Sequence, residues 1–226
     1  MENIVRPNLQ RANQTILVFW ILLGLSCLML VSNFMEYNLL TGGNIDDSAA
    51  TSNDLRQGIL SILYLAGFIL AAVFFILWFR RAYWNLHAIG APGLEYSEGW
   101  AAGSWFVPIL NLFRPYHIMK EIWDKTQEQI QSRPAVESSE LVGWWWAFWI
   151  IGNIIGRISF RLSLKADTVD ELTTASLFSI AAAVFDIPAL FLAIQMIKKT
   201  REFESAMAQG GAGGTDVLDH LIVSEP

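Results

Sequence analysis

Arg157 and Asp186 force the first chemical question, because each lies inside an otherwise apolar run, IIGNIIGRISF and AAAVFDIPALF. An isolated ionised side chain in hydrocarbon is costly and normally finds a partner or water. The two runs read as antiparallel neighbouring helices, in which each side chain leans toward the amino end of its own helix. Counted from the turn between them, the two groups stand about nine residues apart in depth, roughly 13 Å, with Asn153 at an intermediate level. That gap favours a polar relay or a water-filled pocket over a direct ion pair, and the chemistry it implies is that of an ion or proton site. The plainer alternative has Arg157 snorkelling outward with Arg161 to pair with Glu171, while Asp186 is protonated or hydrogen-bonded beside Pro188.

A second constellation lies at Pro108, Asn111 and Arg114, in the uncharged segment GWAAGSWFVPILNLF interrupted by Gly103 and Pro108. A broken backbone at membrane depth leaves amide and carbonyl groups for protein or water to satisfy, so it can line a site. It can equally be a fixed bend that seats the next helix. Other chemistries find little support. His87, His117 and His220 lack metal-ligand spacing, which predicts no metal site and no cofactor. Cys27 is the single cysteine and sits in an apolar run, which excludes an internal disulfide. No Ser/His/Asp set or phosphate-binding glycine loop is evident, and Gly90-Ala91-Pro92-Gly93 is a turn. No catalytic residues are assigned, and the expectation is a protein that is not an enzyme.

These candidates must be positioned by long apolar elements. Of 226 residues, 54% are hydrophobic, too apolar for an ordinary soluble domain, and the excess is gathered in runs. Four of them are long enough to cross a hydrocarbon core: about 15–36, 57–83, 140–163 and 171–198. The fold class predicted is all-α, an integral membrane four-helix bundle occupying 1–203. Residues 1–13 lack the pattern of a cleaved signal peptide, so the first run is expected to be a span. Residues 36–56 read as a polar loop, and 204–226 as a flexible acidic, Gly-rich tail.

Between the second and third spans, Arg80, Arg81 and Asn85 mark a helix end of cations and amphipathic rings that suits the membrane boundary. Segment 99–113 reaches only about 22 Å as a helix, too short to cross, and is predicted to be interfacial or re-entrant. Arg114 and Pro115 then start an amphipathic helix over 114–131. Leu112, Tyr116, Met119, Trp123 and Ile130 fall on one face, with Lys120, Glu121, Asp124, Lys125 and Glu128 opposite. That face suits either the membrane surface or the protein's own core. The cluster Trp144, Trp145, Trp146 and Trp149 fits an aromatic belt.

Orientation follows from the cations. Arg6, Arg11, Arg80, Arg81, Arg114, Lys120, Lys125, Arg133, Lys198, Lys199 and Arg201 fall on one side, against Arg56 and Lys165 on the other, which predicts cytoplasmic termini. A formal net charge of -6 argues against a nucleic-acid partner, which needs a basic face.

Residues 78–125 resemble a family of bacterial multi-pass membrane proteins, the domain of unknown function 4328. The likeness is carried by Arg80, Arg81, Asn85, Trp100, Trp105, Phe106, Val107, Pro108, Asn111, Leu112, Arg114, Pro115 and Tyr116, the last nine within a pattern like W-F-V-P-x-x-N-L-x-R-P-Y preceded by a Trp/Gly-rich stretch. It extends more loosely over the four apolar runs. The resemblance implies four membrane helices in a bacterial cytoplasmic membrane and no established activity. Two functions are compatible with these residues, and a third, a membrane-embedded enzyme, stands behind them because no nucleophile, base or metal set can be assembled. One is a non-enzymatic module that binds membrane lipid, a partner protein or further copies of itself through 100–123 at the cytoplasmic face. The other is a permeation protein for a small solute or ion that uses Asn153, Arg157 and Asp186.

Overall fold

The computed structural model describes residues 5–43, 46–130 and 136–222, the last stretch for its backbone alone beyond position 209. Its elements run α1 (Leu9–Thr41), α2 (Asp47–Ala88), α3 (Trp100–Gly103), a 3-10 turn (Leu110–Leu112), α4 (Arg114–Glu128), α5 (Glu140–Ser163) and α6 (Val169–Ile222). The fold is all-α, with no strand among the described residues. Four helices, α1, α2, α5 and α6, are long and apolar enough to cross a membrane. The chain is a multi-pass membrane protein.

The solvent such helices require is written on their surfaces. Only 11% of the most apolar window of α2 is buried by the protein itself. Ile62, Leu65, Phe68, Ile69 and Leu70 point outward, as do Leu28, Val31 and Phe34 of α1. A soluble protein exposing so continuous an apolar surface would aggregate, whereas lipid tails solvate it at no cost.

The chain divides into two compact units, one of residues 17–73 and 143–194, the other of 1–16, 74–142 and 195–226. In the first, α1 lies between α2 and α6. Gly67 admits the Leu25 and Leu22 side chains, which would stand 3.1 and 3.5 Å from a Cβ there. The Ser176 hydroxyl donates to the Asn33 carbonyl at 3.1 Å, joining α6 to α1. The stretch 36–56 is not the polar loop its composition predicts. α1 continues to Thr41 and α2 begins at Asp47, because polar side chains clasp the two helix ends. Arg56 donates from Nε to Ser32 Oγ at 3.0 Å and from Nη2 to Asn53 Oδ1 at 2.6 Å, and Asn53 Nδ2 donates to Glu36 at 3.4 Å.

In the second unit the start of α1 runs alongside the end of α2, tied by Thr15 Oγ1 donating to the Phe74 carbonyl and Asn8 Nδ2 to the Trp78 carbonyl. Its core holds Trp78, Phe79, Tyr83, Ile118, Met119, Ile122, Trp123, Met196 and Ile197. α4 ends at Glu128; position 131, the expected end of this helix, and Arg133, counted toward orientation, lie outside the described residues. α6 continues through Pro188 and on to Ile222, so no helix end marks the boundary expected after 203; residues 223–226 lie outside the described ones.

Candidate functional site

Within the unit of residues 17–73 and 143–194, four helices each present a stripe of small or polar residues to a common cavity of about 440 Å³. Ser26, Met29, Asn33 and Glu36 come from α1, Gln57, Ser61 and Tyr64 from α2, Gly156, Ser159, Phe160 and Ser163 from α5, and Ser179, Ala182, Ala183 and Asp186 from α6. Each set recurs at three, four or seven residues, so each occupies one helix face. The lining holds two carboxylates, Glu36 and Asp186, with amides and hydroxyls, and no Lys, Arg or His.

The face that α5 turns to α6 is made of small residues, and their contacts fix the register of the two helices. Ser159 Oγ and Ser179 Oγ are 2.6 Å apart, and Ser159 also donates to the Ala175 carbonyl at 3.1 Å. A Cβ at Gly156 would stand 4.0 Å from the Ala182 methyl, and Gly152 faces Asp186. Arg157 therefore lies about five residues, roughly 7.5 Å, from the level of Asp186, not the 13 Å obtained by counting from the turn. The discrepancy arises because the two helices are offset by one helical turn. A Cβ on Gly152 would collide with Asp186 Oδ1 and come within 3.1 Å of its Cγ, so the missing side chain is what gives the carboxylate its place.

Of the three polar residues expected inside the membrane, Asp186 alone lines the cavity. Asn153 Nδ2 turns back to the Trp149 carbonyl of its own helix at 2.8 Å, and Arg157 is exposed on the outer surface of α5. The hydroxyl and amide residues were not singled out by sequence because none is charged, yet the spacing Gln57, Ser61, Tyr64 within an apolar helix is a readable polar stripe. Among the described residues no three His, Cys, Asp or Glu side chains gather as a metal ion requires.

The interfacial block lies in the other unit. Trp105 packs edge-on against Phe75 and Phe79 of α2, at 5.5 and 6.0 Å between ring centroids. The Arg114 guanidinium sits 4.0 Å from the Trp100 ring and 5.0 Å from that of Tyr96, a cation-π arrangement. Between them the chain makes a γ-turn: Leu110 N–H donates to the Pro108 carbonyl at 2.8 Å while Ile109 has φ 70° and ψ -53°. This conformation is strained for a β-branched residue, and the Asn111 N–H bond to the Val107 carbonyl at 3.0 Å helps to hold it. The turn thrusts Phe106, Ile109 and Phe113 outward, at 74%, 71% and 57% exposure.

Pro115 occupies the first turn of α4, where a missing N–H costs nothing. The face of α4 that is buried comprises Ile118, Met119, Ile122 and Trp123. Leu112, expected on that face, is exposed, and Tyr116 is half-buried with its ring tilted against His117. Trp123 is 1% exposed, meets Phe203 edge-on at 5.0 Å and donates from Nε1 to the Glu137 carbonyl at 3.1 Å. Asn85 is buried and clamps the Arg6 backbone, accepting from its N–H and donating to its carbonyl, both at 3.0 Å. Arg80 is exposed and Arg81 half-buried.

Glu121, placed by sequence on the polar face, is half-buried. The Tyr83 hydroxyl lies 2.6 Å from its Oε2 and 2.9 Å from the Tyr96 carbonyl. The hydroxyl donates to Glu121, and its oxygen accepts from the Tyr96 N–H at 3.3 Å. Burial pushes the Glu121 carboxyl above its ordinary range, against the opposing hydrogen bonds from Tyr83 and the Glu95 N–H.

A family model described as a domain of unknown function, DUF4328, matches residues 41–202. That range takes in α2 through most of the described part of α6, with both the cavity's α2, α5 and α6 stripes and the interfacial block. Comparison with the curated proteins and with the solved structures gives no match.

Proposed function

We propose that the chain, which belongs to the DUF4328 family, is a non-enzymatic membrane protein that takes a small cation or hydrogen-bonding solute into its intramembrane cavity. The observation that carries this reading is the Asp186 carboxylate beside Gly152 in a cavity whose lining includes a second carboxylate and no cation. A carboxylate at membrane depth requires water, a proton or a counter-charge, and hydroxyls from four helices offer the coordination that replaces a hydration shell. Polar stripes ending at Glu36, Gln57 and Ser163 would give the solute a route from the loop ends of these helices. By the cation distribution those ends face away from the cytoplasm and the termini lie inside, in a bacterial inner membrane.

The test is uptake by the full chain reconstituted in vesicles, measured with sodium, potassium, ammonium and glycerol as probes. The reading expects saturable uptake of one of these, lowered at least about tenfold by Asp186→Asn through loss of a charge-assisted contact and retained in Arg157→Gln. No uptake above empty vesicles, or equal uptake in Asp186→Asn, overturns it.

A second reading, lipid binding at the cytoplasmic face, is favoured by the exposed Phe106, Ile109 and Phe113. Their neighbour Trp105 packs on α2 at Phe75 and Phe79, just before Arg80 and Arg81, cations that suit the membrane boundary. The surface for such contact is this turn and not the Trp123 face of α4, which the protein itself covers. Quenching of tryptophan emission by brominated lipid, reduced in Phe106→Ser/Ile109→Ser, would support it; unchanged quenching would remove it.

A further inference from the structure

At the place where the start of α1 lies along the end of α2, four arginines converge. Arg6 is fixed twice: Asn85 clamps its backbone, and its guanidinium stacks 4.0 Å from the Trp84 ring. Arg11 Nη1 donates to the Leu77 carbonyl at 2.9 Å, one helical turn before Arg81, so the two guanidiniums are neighbours. Arg80 is one turn from Trp84 and hence from Arg6. The charges of Arg11, Arg6 and Arg80 all act on Arg81. Neither Arg80 nor Arg81 makes an ion pair or hydrogen bond among the described residues. The acid of this neighbourhood, Glu204, is engaged by Asn8, whose Nδ2 is 3.0 and 3.1 Å from its two oxygens. On the next turn of α1, Asn13 receives a 2.7 Å bond from Arg201, adding a further cation.

Like charges held together without an acid between them cost free energy unless an anion joins them. Guanidinium groups suit phosphate in particular, because their forked N–H pairs match its oxygens. Two of the four are already immobilised by the protein, which lowers the entropy lost on binding. The half-buried Trp84 and the exposed apolar residues that precede the cluster on α2, Val73 and Leu77, set it at the level of lipid headgroups.

We propose that Arg6, Arg11, Arg80 and Arg81 form a binding site for a phosphate group, presented by an acidic phospholipid headgroup or as free phosphate. Arg6 and Arg11 fix the frame, and Arg80 and Arg81 supply the unengaged donors.

The test uses the full chain in zwitterionic detergent. Binding of phosphatidylglycerol, of phosphatidylcholine and of inorganic phosphate is measured separately, by native mass spectrometry for the lipids and calorimetry for the ion. Preference for phosphatidylglycerol assigns the headgroup; binding of inorganic phosphate alone assigns the free ion. In either case removal of each arginine weakens binding roughly fivefold, so Arg80→Gln/Arg81→Gln is expected about 25-fold weaker. Arg161→Gln, on α5 and not a member of the cluster, leaves binding unchanged, and thermal melting confirms that the variants fold. Equal affinity in the double variant, or no preference for phosphatidylglycerol over phosphatidylcholine together with no phosphate binding, overturns the proposal.

Discussion

Replacing Gly152 by alanine tests the seat of Asp186 with one methyl group. The new Cβ would collide with Asp186 Oδ1, stand 3.1 Å from Cγ and 3.5 Å from the Asp186 backbone nitrogen. The last distance is ordinary contact, so α5 and α6 need not part; the carboxylate must swing away instead. Overpacking of this kind costs about 1–3 kcal/mol, and the better helix propensity of alanine returns roughly 1 kcal/mol. The net expectation is a loss of about 0–2 kcal/mol in unfolding free energy, measured by titration with dodecyl sulfate in mixed micelles. Truncating the obstacle isolates the contact: in an Asp186→Ala background, Gly152→Ala is expected to be neutral or stabilising. The coupling between the two changes should reach about 1–2 kcal/mol, within the range for residues in direct contact. A Gly152→Ala cost that is the same with and without the carboxylate would refute the placement of Asp186 against α5.

Other expectations concern the interfacial unit. Because Glu121 binds its proton more tightly folded than unfolded, its contribution to stability is fully present below the ordinary glutamate value of 4.5 and is lost as pH rises through the raised one. Glu121→Gln should remove that part of the pH dependence in micelle unfolding; an unchanged profile would contradict it. Trp123→Ala, at a site 1% exposed, should cost about 3–5 kcal/mol and leave the Glu137 carbonyl without its indole donor, measured by the same titration; a cost below about 1 kcal/mol would show the face uncovered. Ile109→Gly should release about 1–3 kcal/mol of backbone strain against roughly 0.5–1 kcal/mol of added chain entropy, so a net gain in stability is expected. Destabilisation there would mean that the γ-turn is not strained.

The four spans were legible because twenty-odd apolar residues in water have no other stable use. What escaped was the helical character of 36–41 and 47–56, which depends on Arg56, Asn53, Ser32 and Glu36 meeting across α1 and α2. Pairing of that kind between elements leaves no mark on local composition. Asp186 was visible as a charge out of place, whereas Arg157 looked equivalent and is turned to the outside, because α5 meets α6 through Gly152, Gly156 and Ser159, at an axial offset of one helical turn from the expected register. Counting from the connecting turn cannot fix such an offset. The hydroxyl stripes of the cavity were readable from their spacing, but singly each serine suits a helix interior equally well. In the interfacial block the proline and the glycines announced a break, while the positive φ falls on Ile109, a residue type that gives no warning of it.

The most direct test of the account is whether water enters the membrane-spanning unit along the polar stripes. Cys27, the single cysteine and an exposed one, is replaced by serine, and Ser61→Cys or Leu65→Cys is introduced on α2. A charged, membrane-impermeant thiol reagent applied to vesicles should label Ser61→Cys, which faces the cavity, and leave Leu65→Cys, 58% exposed on the apolar surface, unmodified. Labelling of both positions alike, or of Leu65→Cys alone, would contradict a polar cavity within a lipid-embedded protein.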